Sequence, residues 1–203
     1  MRYKFISFEG VEGCGKSTQS KLLFEYLKKQ NIDAVLTREP GGTKVAEEIR
    51  AILVNGDVNK LDGISEILLN FAARRDHVEK LIKPTIKQNQ IVITDRFFDS
   101  TFAYQGYGYK EDLQIIENIK ENSIGNFKPD ITFLIDIDVE ETLKRVQNRE
   151  GNNRYEEMDL AFHKRVGEGF LQIAKDNPDR IKIINGKKSI EEIQKEIINI
   201  IDN

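Results

Sequence analysis

Cysteine is nearly absent: Cys14 is the single thiol in 203 residues, so no intramolecular disulfide can form. Positive charge is not in excess either. Lys and Arg number 31 against 34 Asp and Glu, a formal net charge of −3, so no overall basic field draws the chain to nucleic acid or to an anionic membrane, although a local basic cluster can still take a small anion. No apolar run approaches the roughly 20 residues needed to span a bilayer. Met1-Arg2-Tyr3-Lys4 leads into only a few apolar residues before Glu9, unlike a secretory signal. Repeats, low-complexity tracts and an interdomain linker are also missing. A single cytoplasmic domain covering residues 1–203, long enough to bury a substantial core, is the expectation.

What is present stands at the start of the chain. An apolar stretch from Phe5 runs into Gly10-Val11-Glu12-Gly13-Cys14-Gly15-Lys16-Ser17-Thr18, a complete G-x-x-x-x-G-K-[ST] phosphate loop with a strand pattern before it and a helix pattern after it. Its glycines let successive amide N–H groups converge on an anion. Lys16 can then reach the β and γ phosphates of ATP, Ser17 can ligate Mg²⁺, and the opening helix turns its positive end to the same phosphates. Cys14 is read as a small residue filling a tight loop.

Further along, Ala34–Thr37, Gln90–Thr94, Ile131–Asp136 and Arg180–Asn185 read as buried strands. Helical patterns cover Lys16–Lys29, Thr43–Val54, Ser65–Lys87 (with Pro84 set to kink it or end it early), Glu111–Asn122, Val139–Asn148, Asp159–Lys175 and Ser189–Ile201. Thr101–Tyr109 holds aromatics and glycines, and the polar, glycine-containing stretch Arg149–Tyr155 carries no periodicity. Short continuous apolar strands alternating with helices imply a three-layer α/β fold of the P-loop NTPase type, a five-stranded parallel sheet covered by helices on both faces. Ligands of such sheets bind at the carboxyl ends of the strands. There lie Glu9 to Lys16, Arg38 to Gly42 and Asp95-Arg96, which makes one joint site the expectation.

A phosphate loop alone does not separate a kinase from a GTPase or a nucleotide-binding regulator. The guanine-reading Asn-Lys-x-Asp is missing, because Asn185-Gly186-Lys187-Lys188 lacks the final aspartate. Arg38, Arg74, Arg96, Arg145, Arg149 and Arg154 stand at loop ends or beside aromatics, which suits clamps on a second phosphate besides that of ATP. A phosphate monoester acceptor, with a second pKa of about 6, is already a dianion at neutral pH and needs no general base. Both histidines, His77 and His163, are expected to be structural or to lie at the surface.

Together, Phe8-Glu9-Gly10, Thr37-Arg38-Glu39-Pro40-Gly41-Gly42-Thr43, Phe71-Ala72-Ala73-Arg74, Asp95-Arg96-Phe97, Ala103-Tyr104-Gln105-Gly106 and the Arg149/Arg154 loop resemble the thymidylate kinases, in order and along nearly the whole chain. The resemblance implies ATP-dependent phosphorylation of dTMP to dTDP with Mg²⁺, in a homodimer built on the helices near Thr43–Val54 and Ser65–Ile82. It also implies roles. Phe71 would stack on thymine, with Arg74 and Gln105 hydrogen-bonding the edge of the base. Arg38 and Arg96 would hold the acceptor phosphate, with Ser100 beside them. Glu12 would meet the sugar 3′-hydroxyl, Tyr104 would crowd the 2′ position, and Pro40 would follow a cis peptide. Glu9 and Asp95 would join Ser17 near the metal. On spacing alone, Phe71 is a core residue, and Asp95 suits an ion pair with Arg96 as well as it suits a metal. The phosphate loop has Gly13-Cys14 where one branch of the family carries an arginine, so the resemblance points to the bacterial type, in which a lid at about residues 145–156 supplies catalytic Arg149 or Arg154. The alternative is that these arginines only pair with Glu150, Glu156 and Glu157 at the surface. Another pyrimidine monophosphate kinase and a nucleotide-binding regulator are the competing functions.

Overall fold

The computed structural model describes residues 2–147 and 154–202. Five strands, β1 (Phe5–Glu9), β2 (Ala34–Arg38), β3 (Ile91–Asp95), β4 (Ile131–Asp136) and β5 (Ile181–Asn185), form one sheet in the order β2-β3-β1-β4-β5, every pair parallel. All five residues of the central β1 are buried, whereas the outermost β2 and β5 are partly open. That gradient is what continuous apolar strands in the middle of a doubly covered sheet require.

The helices are α1 (Lys16–Lys29), α2 (Lys44–Val54), α3 (Gly63–His77), α4 (Lys83–Lys87), α5 (Phe98–Thr101), α6 (Leu113–Ile124), α7 (Val139–Gln147), α8 (Leu160–Asp176) and α9 (Ile190–Asp202). One face of the sheet packs on Leu23 and Leu27 of α1, Phe162, Val166 and Phe170 of α8, and Ile193, Ile197 and Ile201 of α9. The other packs Phe5 and Val92 against Ile67 and Phe71 of α3 and against Phe97, Phe98, Ile116 and Ile124. Polar caps set the helix starts. The side chains of Thr43, Asp62, Asp112 and Asp159 each accept a hydrogen bond from a first-turn amide.

Two departures from the sequence pattern bear on the site. The expected single helix over Ser65–Lys87 is α3 followed by a π-helical turn, Val78–Ile82, and then α4, with Pro84 in the first turn of α4. The helical run continues through the wider turn and past Pro84, whose missing amide falls at the start of α4, so Pro84 does not end it early. Thr101–Tyr109, marked in the sequence only by its aromatics and glycines, holds the end of α5 and a π-helical run, Phe102–Gly108. The extra residue per turn removes the 3.6-residue signature that a pattern search needs. Leu68 of α3 faces outward and is 53% exposed.

Candidate active site

The carboxyl ends of β1, β2 and β3 lie side by side, with Asp95 in register with both Phe8 and Arg38. A cleft of about 280 Å³ opens there and is lined by the phosphate loop, by Arg38–Pro40, and by side chains of α2, α3 and the segment after β3. Gly10, Gly13 and Gly15 all have positive φ, and a Cβ on Gly10 would fall 2.7 Å from the Ile135 carbonyl oxygen and 2.8 Å from Cys14 Sγ. The loop therefore curls only because glycine stands at these positions. Cys14 is buried beneath it, as its small size suggests. Gly15 sits just before α1, whose N-terminal end opens onto the cleft through Lys16, Ser17 and Thr18. The Lys16 ammonium donates to the Val11 carbonyl at 2.8 Å, so the loop backbone itself aims it. Gly10, Val11 and Cys14 form the floor of the loop and are not part of the cleft lining.

Ser17 Oγ donates to Asp95 Oδ2 at 2.5 Å across the foot of the cleft. A hydroxyl and a carboxylate together are the hard oxygen donors that Mg²⁺ takes. Among the described residues no group of three or more His, Cys, Asp or Glu side chains converges for a metal. This pair therefore fits a cation that keeps most of its shell as water and phosphate oxygens, as Mg²⁺ does. Glu9, expected beside it, has other surroundings: it is buried, and its two oxygens accept from the Phe97 amide at 2.7 Å and from Ser100 Oγ at 2.6 Å. Burial and the neighbouring Asp99 push the Glu9 carboxyl up to about 8.

Arg96 occupies a left-handed backbone position, φ 73°, which an arginine adopts at a cost. The bend returns its guanidinium over the phosphate loop, where it bonds to the Gly10 carbonyl at 3.0 Å, Ser100 Oγ at 2.9 Å and the Tyr104 hydroxyl at 3.0 Å, and pairs with Glu12 at 2.9 Å. Burial, the largest single influence, works against the Arg96 cation, but Glu12, Tyr104, Asp95 and Glu9 together outweigh it and hold the guanidinium protonated. Burial likewise opposes ionisation of Glu12, yet Arg96 and Lys16 draw its carboxyl down to about 2. Glu12, Arg96, Ser100 and Tyr104 thus form one charged wall.

Opposite, Glu39 of the cis Glu39–Pro40 segment accepts from Arg74 Nε at 2.7 Å and lies 2.9 Å from His77 Nδ1, while His77 Nε2 meets Thr37 Oγ1 at 2.8 Å. Arg74 also donates to Thr101 Oγ1 and to the Phe97 carbonyl, both at 3.1 Å. Its guanidinium lies 4.7 Å from the centre of the Phe71 ring. Phe71, read as the thymine-stacking residue, is a buried member of the core under Arg74 and does not line the cleft. Arg38 does line it, mostly exposed and paired with Glu47. Gln105 reaches the cleft from the π-helical run.

The lid arginines part company. Arg149 lies outside the described residues. Arg154 is 2% exposed and stands away from the cleft lining. It forms an ion pair with Glu66 and donates to the carbonyls of Leu53 and of Val58, the latter at 3.1 Å. Its partner Glu66 is buried and is one that no local pattern displays. Arg145 pairs with Glu141 one turn earlier on the exposed side of α7. Arg50 also lines the cleft and donates to the Pro40 carbonyl at 2.9 Å; on a charged helix nothing in the sequence sets it apart from a solvated residue. Glu66 and Tyr155 carry no sequence signal either, since their contacts exist only in space.

A phosphate loop facing a second set of arginines across one cleft, at the carboxyl edge of a parallel sheet, defines a P-loop phosphotransferase working between two phosphate-bearing molecules. The sequence model described as thymidylate kinase matches residues 8–197. The chain is 46% identical over 201 residues to a thymidylate kinase of Wolbachia pipientis wMel, covering 96% of this chain and 98% of that one. It is 43% identical to one of Caldanaerobacter subterraneus subsp. tengcongensis, covering 100% of this chain and 96% of its relative. The crystal structure of thymidylate kinase from Ehrlichia chaffeensis superposes with a TM-score of 0.79 at 42% identity, covering 98% of both chains. The chain belongs to the thymidylate kinase family, enzymes that phosphorylate dTMP to dTDP with ATP.

Proposed function

We propose that this chain transfers the γ-phosphoryl group of ATP to the phosphate of dTMP in a Mg²⁺-dependent, in-line reaction, with the residues of the cleft in the following roles. The observation that carries this reading is the single cleft in which Lys16 of the phosphate loop and Arg38, Arg50, Arg74 and Arg96 meet. The phosphate loop holds the donor phosphates, and Lys16 balances charge on the group in flight. Arg96, with Arg38 beside it, receives the acceptor phosphate; Glu12 and Tyr104, braced against Arg96, meet the sugar. Arg74 and Gln105 read the base, and Phe71 acts on it through Arg74. A dianionic acceptor is already a nucleophile, so the protein's task is alignment and charge balance, with no side chain needed as a general base. Bound through Ser17 and Asp95, Mg²⁺ supplies further neutralisation of phosphate charge. Arg149 keeps the proposed role of arginine finger. For Arg154 its burial with Glu66 supports a structural anchor instead.

Val45 and Ile52 of α2 and Leu68 of α3 are exposed at 42%, 44% and 53%, an apolar face that supports a homodimer across these helices. No helix among the described residues is long and apolar enough to cross a membrane. The site of action we propose is the cytoplasm, where nucleoside monophosphates and ATP meet. The test is ADP release followed with each pyrimidine monophosphate in turn. Turnover that depends on dTMP, falls modestly with dUMP and falls steeply with dCMP is expected. Equal kcat/KM for dCMP and dTMP would refute the roles of Arg74 and Gln105, because the C4 amino group of cytosine would face the Arg74 donor and its bare N3 the acceptor branch of Gln105.

A further inference from the structure

Glu66, on the first turn of α3, is fully buried yet touches none of the phosphate-binding groups. Its carboxylate gathers three donors. Arg154 forms an ion pair with Oε1, and Oε2 accepts from the Tyr155 hydroxyl at 2.8 Å and from Gln105 Nε2 at 2.7 Å. Paired with a guanidinium, Glu66 offers acceptors only, and the amide of Gln105 has one way to satisfy it, with its amino group inward. Gln105 is nearly fully buried and lines the cleft. With Nε2 turned to Glu66, the other branch of the planar amide, Oε1, is what remains for a ligand.

We propose that Glu66 is a specificity-determining positioning residue: by locking the Gln105 amide, it presents an acceptor to the base and so selects pyrimidines that carry N3–H over those with a bare N3. Thymine and uracil have that donor; cytosine has an acceptor at N3 and an amino group at C4. An amide free to rotate would serve either kind of base, since a Gln offers a donor on one branch and an acceptor on the other. A carboxylate at position 66 removes the choice, and Arg154 is the counter-charge that makes a buried carboxylate tolerable there. This inference rests on the reading that Gln105 meets the base.

The experiment compares kcat/KM for dTMP and dCMP in the natural protein, Glu66→Gln and Gln105→Leu. Glu66→Gln can donate or accept, so the Gln105 amide is released. The dTMP-to-dCMP ratio should fall at least tenfold, chiefly through KM. If Glu66 only holds the chain together, both substrates suffer alike and the ratio stays put, which overturns the inference. Should Glu66→Gln lack a cooperative melt, the double variant Glu66→Leu/Arg154→Leu, which removes both buried charges together, carries the same expectation. In the natural protein with dTMP bound, the Gln105 Nε2 protons should remain slow to exchange by NMR; rapid exchange contradicts the lock. Gln105→Leu separates the two levels. If it collapses the ratio while the Glu66 variants do not, Glu66 alone is refuted, and if it leaves the ratio unchanged, the base-reading role of Gln105 falls and the inference with it.

Discussion

Removing the Glu39 carboxylate tests how the base-reading end of the cleft is held. Glu39 and Arg74 are both 2% exposed as side chains, and the same carboxylate serves His77. In Glu39→Leu the Arg74 cation keeps its bonds to Thr101 and the Phe97 carbonyl but loses its counter-charge, a change that costs about 3–5 kcal/mol when one partner of a buried pair is deleted. For a chain of this length each kcal/mol lowers Tm by about 2–4 °C, so a fall of roughly 6–20 °C is expected. Glu39→Gln should do less harm. Its amide oxygen can still accept from Arg74, and its amino group can face His77 Nδ1 if the imidazole proton moves to Nε2, where Thr37 Oγ1 can accept it. What is lost is the charge-assisted part of the bond, the difference between a charged and a neutral hydrogen bond, about 1–1.5 kcal/mol. Calorimetric melts at one protein concentration, paired with initial rates, give both readouts. Arg74 sits at the base end and not at the reacting phosphates, so KM for dTMP should rise by about tenfold for each 1.4 kcal/mol of lost orientation, with kcat less affected. A Glu39→Leu protein melting within about 2 °C of the natural one, with an unchanged KM, would refute the idea that this buried pair aims Arg74.

Lys16→Ala should abolish most turnover with the melt unchanged, since it removes charge from the phosphoryl in flight and not from the core; near-normal kcat sinks the phosphate-loop assignment. Glu9, whose carboxyl is pushed up to about 8 from its ordinary 4.5 by burial and by Asp99, binds more proton folded than unfolded between those values. The Glu9 contribution to stability is therefore fully present below about 4.5 and is lost as pH rises through about 8, by about 1.4 kcal/mol per unit of separation at most. Urea titrations from pH 5 to 8 should show that decline in the natural protein and a flatter profile in Glu9→Gln; parallel profiles contradict it. Leu68→Glu, placed on the exposed apolar face of α3, should convert the proposed dimer into a monomer of 23.4 kDa in sedimentation; a monomer before mutation would dispose of the dimer.

The sheet was legible in the sequence because each central strand is a short apolar run bounded by turn residues, and burial on both faces demands no more than that. The phosphate loop was legible because a backbone that must turn through Gly10, Gly13 and Gly15 admits only glycine, and the chemistry of phosphate fixes Lys16 and Ser17 at set distances behind it. That Arg38 and Arg96 face one cleft followed from their place at strand ends. The tertiary structure alone decided the partners. Which carboxylate Arg74, Arg96 or Arg154 would meet depends on side chains 35, 84 and 88 positions away, and no local spacing encodes a contact between elements. Phe71 shows the same limit: its helical spacing suits a core residue and a stacking platform equally, and only the packing of α3 against Phe97 and the sheet places it beneath Arg74. The π-helical run that delivers Tyr104 and Gln105 has no 3.6-residue period to read, since its i→i+5 bonding widens each turn. Glu66 drew no attention in the sequence for a physical reason: an acid in the first turn of a helix is ordinary, and it becomes a buried ligand for three side chains only once the chain near residue 154 folds back onto α3.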